Sequence, residues 1–335
     1  MAGNNRTGLS IMVTSGDKSE TADGTDGAAA MAGGRGESRL VRHDISIVIP
    51  TVGRTILQKC LASIAAGREL PKQLIVVDQS SDPAIAEWLH VLHPLGVETR
   101  HVLSSKTGRA AGVNLGIECA DTELVAITDD DCLVAEDWLR HMRSNLRADP
   151  GIVVTGRVEA TGDEEVPITV TSMAPAIFHR PRLKFDSLCG GNMGVALKVM
   201  DRVGPLDEDQ RLRNSEDGEW AYRALRAGVS IKYAPDVVVH HYGWRNIRER
   251  QEQYRAYAKS HGAFFGKYMR AGDWFIGLRA LVHYLRELRR YLKGIVTGNR
   301  EETRMAWACL RWLPPGVLAG LRSRAPRPAR RAKAQ

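Results

Sequence analysis

Cysteine is sparse and scattered in this chain: five in 335 residues, at Cys60, Cys119, Cys132, Cys189 and Cys309, with no CxxC pair. That distribution excludes a disulfide framework and fits a reducing, cytosolic setting. Long apolar runs are also missing, and none approaches the roughly 18–20 residues that a membrane-spanning helix needs. The N-terminus lacks the charged-then-apolar layout of a secretion signal. No GxGxxG follows the first apolar strand, which disfavours a dinucleotide-binding oxidoreductase. Acidic residues stop at Glu302, and beyond it Arg304, Arg311, Arg322, Arg324, Arg327, Arg330, Arg331 and Lys333 accumulate.

What remains is ordinary globular composition, 43% hydrophobic and 26% charged, with a formal net charge of +8. The excess charge sits largely in the C-terminal tail, so it does not by itself indicate nucleic acid, and none is expected as a partner. Such a tail is either a solvated basic end or an attachment to an anionic membrane surface.

Residues 1–42 are Gly-, Ala-, Ser-, Thr- and Asp-rich without apolar periodicity and read as a disordered extension. From Ile45 the pattern alternates. ISIVIP is a buried-strand run, and Leu57, Leu61 and Ile64 mark a helix. QLIVVD is a second strand ending in Asp78, a third spans Val97–Leu103, and a helix starts at Gly108. Leu124–Thr128 makes the fourth strand. Strand–helix alternation of this kind predicts an α/β fold, a mostly parallel Rossmann-like sheet flanked by helices, occupying 43–245. Ligands in such sheets sit beyond the carboxyl ends of the strands. From Ile152 the pattern is less regular. Cys189-Gly190-Gly191-Asn192 leads into an apolar stretch, and Ser215-Glu216-Asp217 opens a helix stopped by Gly228. A strand near Val229–Tyr233 is followed by Pro235 and by Val237-Val238-Val239-His240-His241. Residues 246–320 read as a C-terminal helical extension and 321–335 as a disordered basic tail. Within the extension Trp274, Leu278, Leu281, Leu285, Leu288, Leu292 and Ile295 repeat at 4,3 spacing. That seam predicts packing on the catalytic domain or on another subunit, with a membrane surface as the rival.

The polar residues after the strands carry the chemistry. Asp129-Asp130-Asp131 follows an apolar strand, and three adjacent carboxylates repel one another unless a cation is present. Hard divalent ions such as Mg²⁺ or Mn²⁺ take such oxygens and bridge to phosphates. Glu216-Asp217 at a helix start is favoured by the helix dipole and suits an ionised general base, although ordinary capping is the better account of the pair taken alone. Of His240 and His241, strand alternation lets only one join the acids. Arg109, with Asn114 further along the same helix, is placed to meet a diphosphate at the helix N-terminus. Gly190-Gly191-Asn192 reads as a close-approach wall for a substrate or as a tight turn.

Taken in order over 45–245, these segments resemble the family 2 glycosyltransferases of the GT-A fold. IVIPTVGR is similar to the family's opening strand and loop, which implies donor contacts at Pro50, Thr51 and Arg54. LIVVDQSSD resembles the strand whose aspartate addresses the nucleoside, here Asp78. AITDDDC resembles the DXD region, implying that Asp131, with Asp129 and His241, holds Mn²⁺ or Mg²⁺ while Asp130 joins the donor site. CGGNMGVALKVMDRVGPLDE and SEDGEWAYRALRAG resemble the acceptor segment and ED motif. That likeness implies acceptor contacts at Gly191, Asn192 and Glu216 and makes Asp217 the catalytic base. PDVVVHH resembles the strand with a late histidine, which favours His241. Val113 stands where the family often has an arginine before the asparagine, so the phosphate contact passes by this reading to Arg109. The Gln-x-x-Arg-Trp element of processive synthases is absent. The resemblance therefore implies non-processive, inverting hexosyl transfer from a nucleotide sugar to a saccharide, lipid-linked or small-molecule acceptor in cell-surface polysaccharide or glycoconjugate synthesis. It is compatible with a homo-oligomer and with a cytoplasmic or peripheral inner-membrane location. A sugar nucleotidyltransferase, for which PTVGRT is a poor phosphate loop, and a non-catalytic polyanion binder are the rivals.

Overall fold

The computed structural model describes residues 40–41, 44–162, 164, 166, 169–183 and 188–323. The expected N-terminal extension, apart from its last strand, and the basic tail beyond Ser323 lie outside them. The first half of the chain runs β1 (Leu40–Val41), β2 (Ile45–Thr51), α1 (Leu57–Ala65), β3 (Glu69–Leu70), β4 (Gln73–Asp78), α2 (Ala84–Trp88), β5 (Glu98–Leu103), α3 (Arg109–Glu118) and β6 (Leu124–Thr128). β1 pairs with β3, so one short strand lies inside the stretch read as structureless. The second half adds β7 (Cys132–Val134), α4 (Trp138–Ala148), β8 (Val153–Gly162), β9 (Ala176–Phe178), β10 (Asn192–Ala196), α5 (Leu197–Val203), α6 (Glu216–Arg226) and β11 (Ile231–Gly243). Three long helices follow: α7 (Ile247–Arg270), α8 (Trp274–Thr297) and α9 (Arg300–Leu321).

One sheet in the order β5-β4-β2-β6-β10-β8-β11-β7 runs through the molecule, with β9 paired to β11. Its first four strands are parallel. β2, β4 and β6 are buried along their whole length, which is why they consist of continuous β-branched and aliphatic residues. The sheet turns mixed at β10, which runs antiparallel to both β6 and β8. β8 and β11 are parallel, and β7 closes the edge antiparallel to β11. The two runs around Pro235 are one strand, not two. The register shifts between Ala234 and Val238, so Pro235 and Asp236 occupy a bulge where a missing N–H is tolerated.

A main core fills both sides of the sheet. A second cluster, with Leu212, Tyr222, Phe264, Phe265, Tyr268, Ile276 and Leu313, ties α7 and α9 to α6. α7 and α9 meet backbone to backbone. A Cβ on Gly262 would lie 2.3 Å from the carbonyl oxygen of Leu313, and one on Gly266 would lie 2.1 Å from that of Val317. α8 departs from one of the packings expected of its seam, that on the catalytic domain, and leaves another subunit and a membrane surface open. Its apolar seam faces outward, with Trp274 77% and Leu285 52% exposed, so it does not pack on the catalytic domain. The inward face instead carries Arg279 and Glu287, both buried. The 4,3 spacing shows that a helix has an apolar side but not what covers that side.

Candidate active site

The carboxyl ends of β2, β4 and β6 converge on the Asp129-Asp130-Asp131 turn. Asp130 is buried and held from β2 and the loop after it. Thr51 Oγ1 donates to one carboxylate oxygen at 2.7 Å and Arg54 Nη1 to the other at 2.7 Å. Burial, reinforced by Asp131 and Asp129, outweighs Arg54 and pushes the Asp130 carboxyl up to about 6. Asp129 accepts from Arg109 Nε at 2.6 Å. Asp131, also buried, accepts from Trp244 Nε1 at 3.0 Å, while His241 Nε2 lies 3.6 Å and Arg245 Nη1 3.8 Å from its oxygens. Burial raises Asp131, but His241, Trp244 and Arg245 outweigh it and hold the carboxyl well below its usual range. Each acid of the run thus has a cationic partner from this chain. The mutual repulsion is relieved from within, so the run alone does not demand a metal.

The case for a cation rests on convergence. One ligand atom each from Asp129, Asp131 and Cys132 lies within 4.8 Å of the others. Two carboxylates suit a hard divalent ion. The adjacent thiol does not, and burial pushes it far up, so it stays protonated. His241 reaches Asp131 because β7 pairs with β11, setting His241 opposite Cys132. His240 is turned away, with Nδ1 3.3 Å from Glu159. The residues present therefore fit a cation on Asp131 and Asp129, while His241 meets Asp131 but stands outside the converging group.

The second half of the sheet brings backbone to these acids. A Cβ at Gly191 would lie 2.8 Å from Asp129 Oδ2, and one at Gly190 would lie 2.8 Å from Arg109 Nη1. A side chain at either position would push the Arg109 guanidinium or the Asp129 carboxylate aside. The N–H of Gly190 donates to Asp217 Oδ2 at 3.0 Å and that of Gly218 to Oδ1 at 2.8 Å, holding this partly exposed carboxylate at the start of α6. Arg109 links the two halves, with Nη1 3.6 Å from Glu216 Oε1. Glu216 is buried, unlike an ordinary capping acid. Burial first, then Asp217, pushes its carboxyl up to about 8. Arg109 Nη2 and Glu216 Oε2 are buried without a hydrogen-bond partner.

Several expected contacts turn elsewhere. Asn114 does not face a diphosphate. Its amide clamps the 206–208 segment, donating to Leu206 O and Glu208 Oε1 and accepting from Leu206 N. Asn192 is fully buried, donating to Arg157 O and Val237 O and accepting from Trp138 Nε1, with nothing left for an acceptor. Pro50 packs beneath Gly112 of α3. Asp78 is fully buried. One of its oxygens takes Ser80 N, Ser80 Oγ and Ser81 N, and the other meets His101 Nε2 at 3.1 Å. Burial raises its carboxyl, yet these hydrogen bonds hold it below the usual range. It thereby shapes the loop beside the site.

Residues not singled out from the sequence complete the surroundings. Gln79 ties the Gly108 turn through both its backbone groups. Trp244 sits under Arg54, whose guanidinium lies 4.9 Å from the ring. Tyr257 of α7 stands in the field of Arg245, Asp217, Asp131 and Glu216. The signal available for Trp244 and Arg245 was their place directly after the histidine strand. Tyr257 gave none, because it comes from a separate helix.

A sheet with a nucleotide-type parallel half, a mixed half and an acidic turn between them defines a GT-A fold. Solved structures agree. The mannosyltransferase PcManGT from Pyrobaculum calidifontis, in complex with GDP-Man and Mn²⁺, matches with TM-score 0.56 and 17% identity, covering 84% of this chain and 88% of that one. S. aureus TarS 1–349 matches with TM-score 0.51 and 13% identity, covering 80% and 91%. Residues 46–199, a little under half of the chain, match the family model described as glycosyl transferase family 2. The match includes the acids and the glycine turn but ends before Asp217 and His241. Among curated proteins, glycosyltransferase AglE of Haloferax volcanii is 27% identical over 207 residues, 58% of this chain and 65% of that protein. Chondroitin synthase of Escherichia coli is 25% identical over 242 residues, 61% of this chain and 35% of that protein. The chain thus spans less than two thirds of either relative.

Proposed function

We propose that this protein transfers a sugar from a nucleotide-sugar donor to an acceptor hydroxyl with inversion at the anomeric carbon. The observation that carries the reading is the meeting of Asp129, Asp131 and His241 with Asp217 across the Gly190–Gly191 turn. Asp131 and Asp129 would hold a divalent cation, with His241 beside them. Such an ion, when bound, neutralises charge developing on a departing diphosphate. Thr51, Arg54 and Asp130, with the loop that Asp78 shapes, form the donor side. The unpartnered nitrogen of Arg109 offers a donor to phosphate or acceptor oxygen. Asp217 takes the proton of the acceptor hydroxyl as its oxygen attacks the anomeric carbon and the bond to the diphosphate breaks. One base without a second nucleophilic carboxylate fits a single displacement, hence inversion. Glu216, with one free buried oxygen, faces the acceptor side. The relatives and neighbours support a hexosyl donor, since PcManGT is held with GDP-Man and Mn²⁺, and a saccharide or glycoconjugate acceptor.

The test is donor binding by calorimetry across UDP-, GDP- and dTDP-sugars, with and without Mn²⁺, on the parent and on Asp131→Ala. We expect one donor to bind in a metal-dependent manner and Asp131→Ala to weaken it by about 100-fold. Folded protein that binds no nucleotide sugar would remove the proposal.

A further inference from the structure

We propose that α8 docks this chain on an anionic lipid surface, lying in the plane of the headgroups with its apolar seam downward. α8 is amphipathic in the reverse sense from a helix serving its own core. From Trp274 to Val296 the outward stripe runs about 33 Å at helical rise, and Leu281, Leu285, Leu292 and Ile295 are each more than half exposed. The inward face is anchored, by Ile276 in the second core cluster and by polar contacts. Glu287 accepts from Arg286 Nε and Arg290 Nη1 at 3.0 and 2.9 Å, and Arg279 lies over the rings of Phe264 and Phe265. The helix is therefore fixed with its apolar side in water, an exposure a free surface rarely carries over such a length.

Charge selects the occupant. The single acid of α8, Glu287, is the one turned inward, whereas Arg289 and Lys293 lie exposed along the stripe. With Leu285, Leu288, Leu292 and Val296 they line a shallow depression. Basic side chains of this length reach phosphates while their stems lie on acyl chains. Trp274 at one end and Trp307, packed beside Tyr291 at 5.6 Å, supply the aromatic groups favoured at a lipid–water boundary. The sequence beyond the described residues adds positive charge. Arg270, just before α8, donates to the carbonyls of Leu321 and Ser323, and residues 324–335 hold only basic charges. A second copy fits less well, because paired stripes would bring Arg289 and Lys293 together with no exposed acid on α8 to answer them. Among the described residues no helix is long and apolar enough to cross a membrane, so the contact is interfacial.

The experiment is cosedimentation of the full chain with vesicles of phosphatidylcholine alone or mixed with phosphatidylglycerol. We expect binding to the mixed vesicles at least about tenfold tighter than to the neutral ones, weakening with salt. Leu285→Asp combined with Leu292→Asp should weaken it by about tenfold or more, with thermal melting and donor binding unchanged. Arg289→Gln with Lys293→Gln should weaken it several-fold. Brominated lipid in the mixed vesicles should quench the parent's fluorescence more than that of Trp274→Phe, a readout independent of whether the aspartate variant folds. No vesicle binding, equal binding by the parent and the aspartate variant, or a parent dimer that the aspartate variant dissolves would each overturn the proposal. The last result would assign the stripe to a second copy.

Discussion

In the parallel half of the sheet, β4 and β6 deliver carboxylates to strand ends where partners already wait: Arg54 for Asp130, Arg109 for Asp129 and His101 for Asp78. The mixed half delivers mainly backbone: the glycine turn before β10, the N–H of Gly190 on Asp217, and a buried asparagine joining three segments. Donor-side carboxylates on one half and the turn that holds Asp217 on the other imply separable losses, with donor binding failing in the first half and proton transfer or acceptor fit failing in the second.

The largest expected effect breaks the two halves apart. Asp217→Asn should lower transfer by about 10³-fold, since general-base removal typically forfeits 10²–10⁴, while metal-dependent donor binding stays within a few-fold of the parent. Single-turnover transfer beside calorimetry measures both, and near-normal turnover would show that the base lies elsewhere. Next in size, Asn192→Ala should destabilise the fold by about 2–4 kcal/mol, because two buried carbonyls and the Trp138 indole lose their partner. Urea unfolding reports it. Unchanged stability with a raised acceptor KM would instead make Asn192 a substrate contact. The smallest effect concerns Glu216. Its carboxyl stands near 8 in the fold, above its ordinary 4.5, so the unfolded chain releases this proton first. The stability from a neutral Glu216 is present at low pH and falls as pH rises from about 4.5 through 8. Glu216→Gln removes that dependence. Thermal melts at pH 5 and 8.5 should show Tm falling less in the variant than in the parent, and parallel declines would refute the buried neutral acid.

The parallel half was legible because its strands are buried on both faces and so appear as unbroken apolar runs such as ISIVIP and QLIVVD. The acidic turn was legible for the same reason, since Asp129-Asp130-Asp131 interrupts such a run. The mixed half was not. β10 is only five residues, NMGVA, and the bulge at Pro235 disguised one strand as two. Asn114 was read as a ligand contact from its place in the helix that begins at Gly108, and Asn192 from the glycine segment before it and the family resemblance. Their partners, main-chain and side-chain atoms alike, lie more than thirty positions away, which spacing cannot show. α8 was legible as a helix with an apolar seam, but its inward polar contacts come from residues such as Phe264 on another helix.

The interlocked backbones of α7 and α9 make those two helices a single stiff strut. Their glycines leave no room for one to slide or roll past the other. Tyr257 stands at the catalytic end of that strut, and α8 is fastened along α9 through Glu287, Arg290 and Glu302. With α8 on a surface as proposed, the mouth between Asp131 and Asp217 would be held at one height and one bearing to it, and reach would select among acceptors.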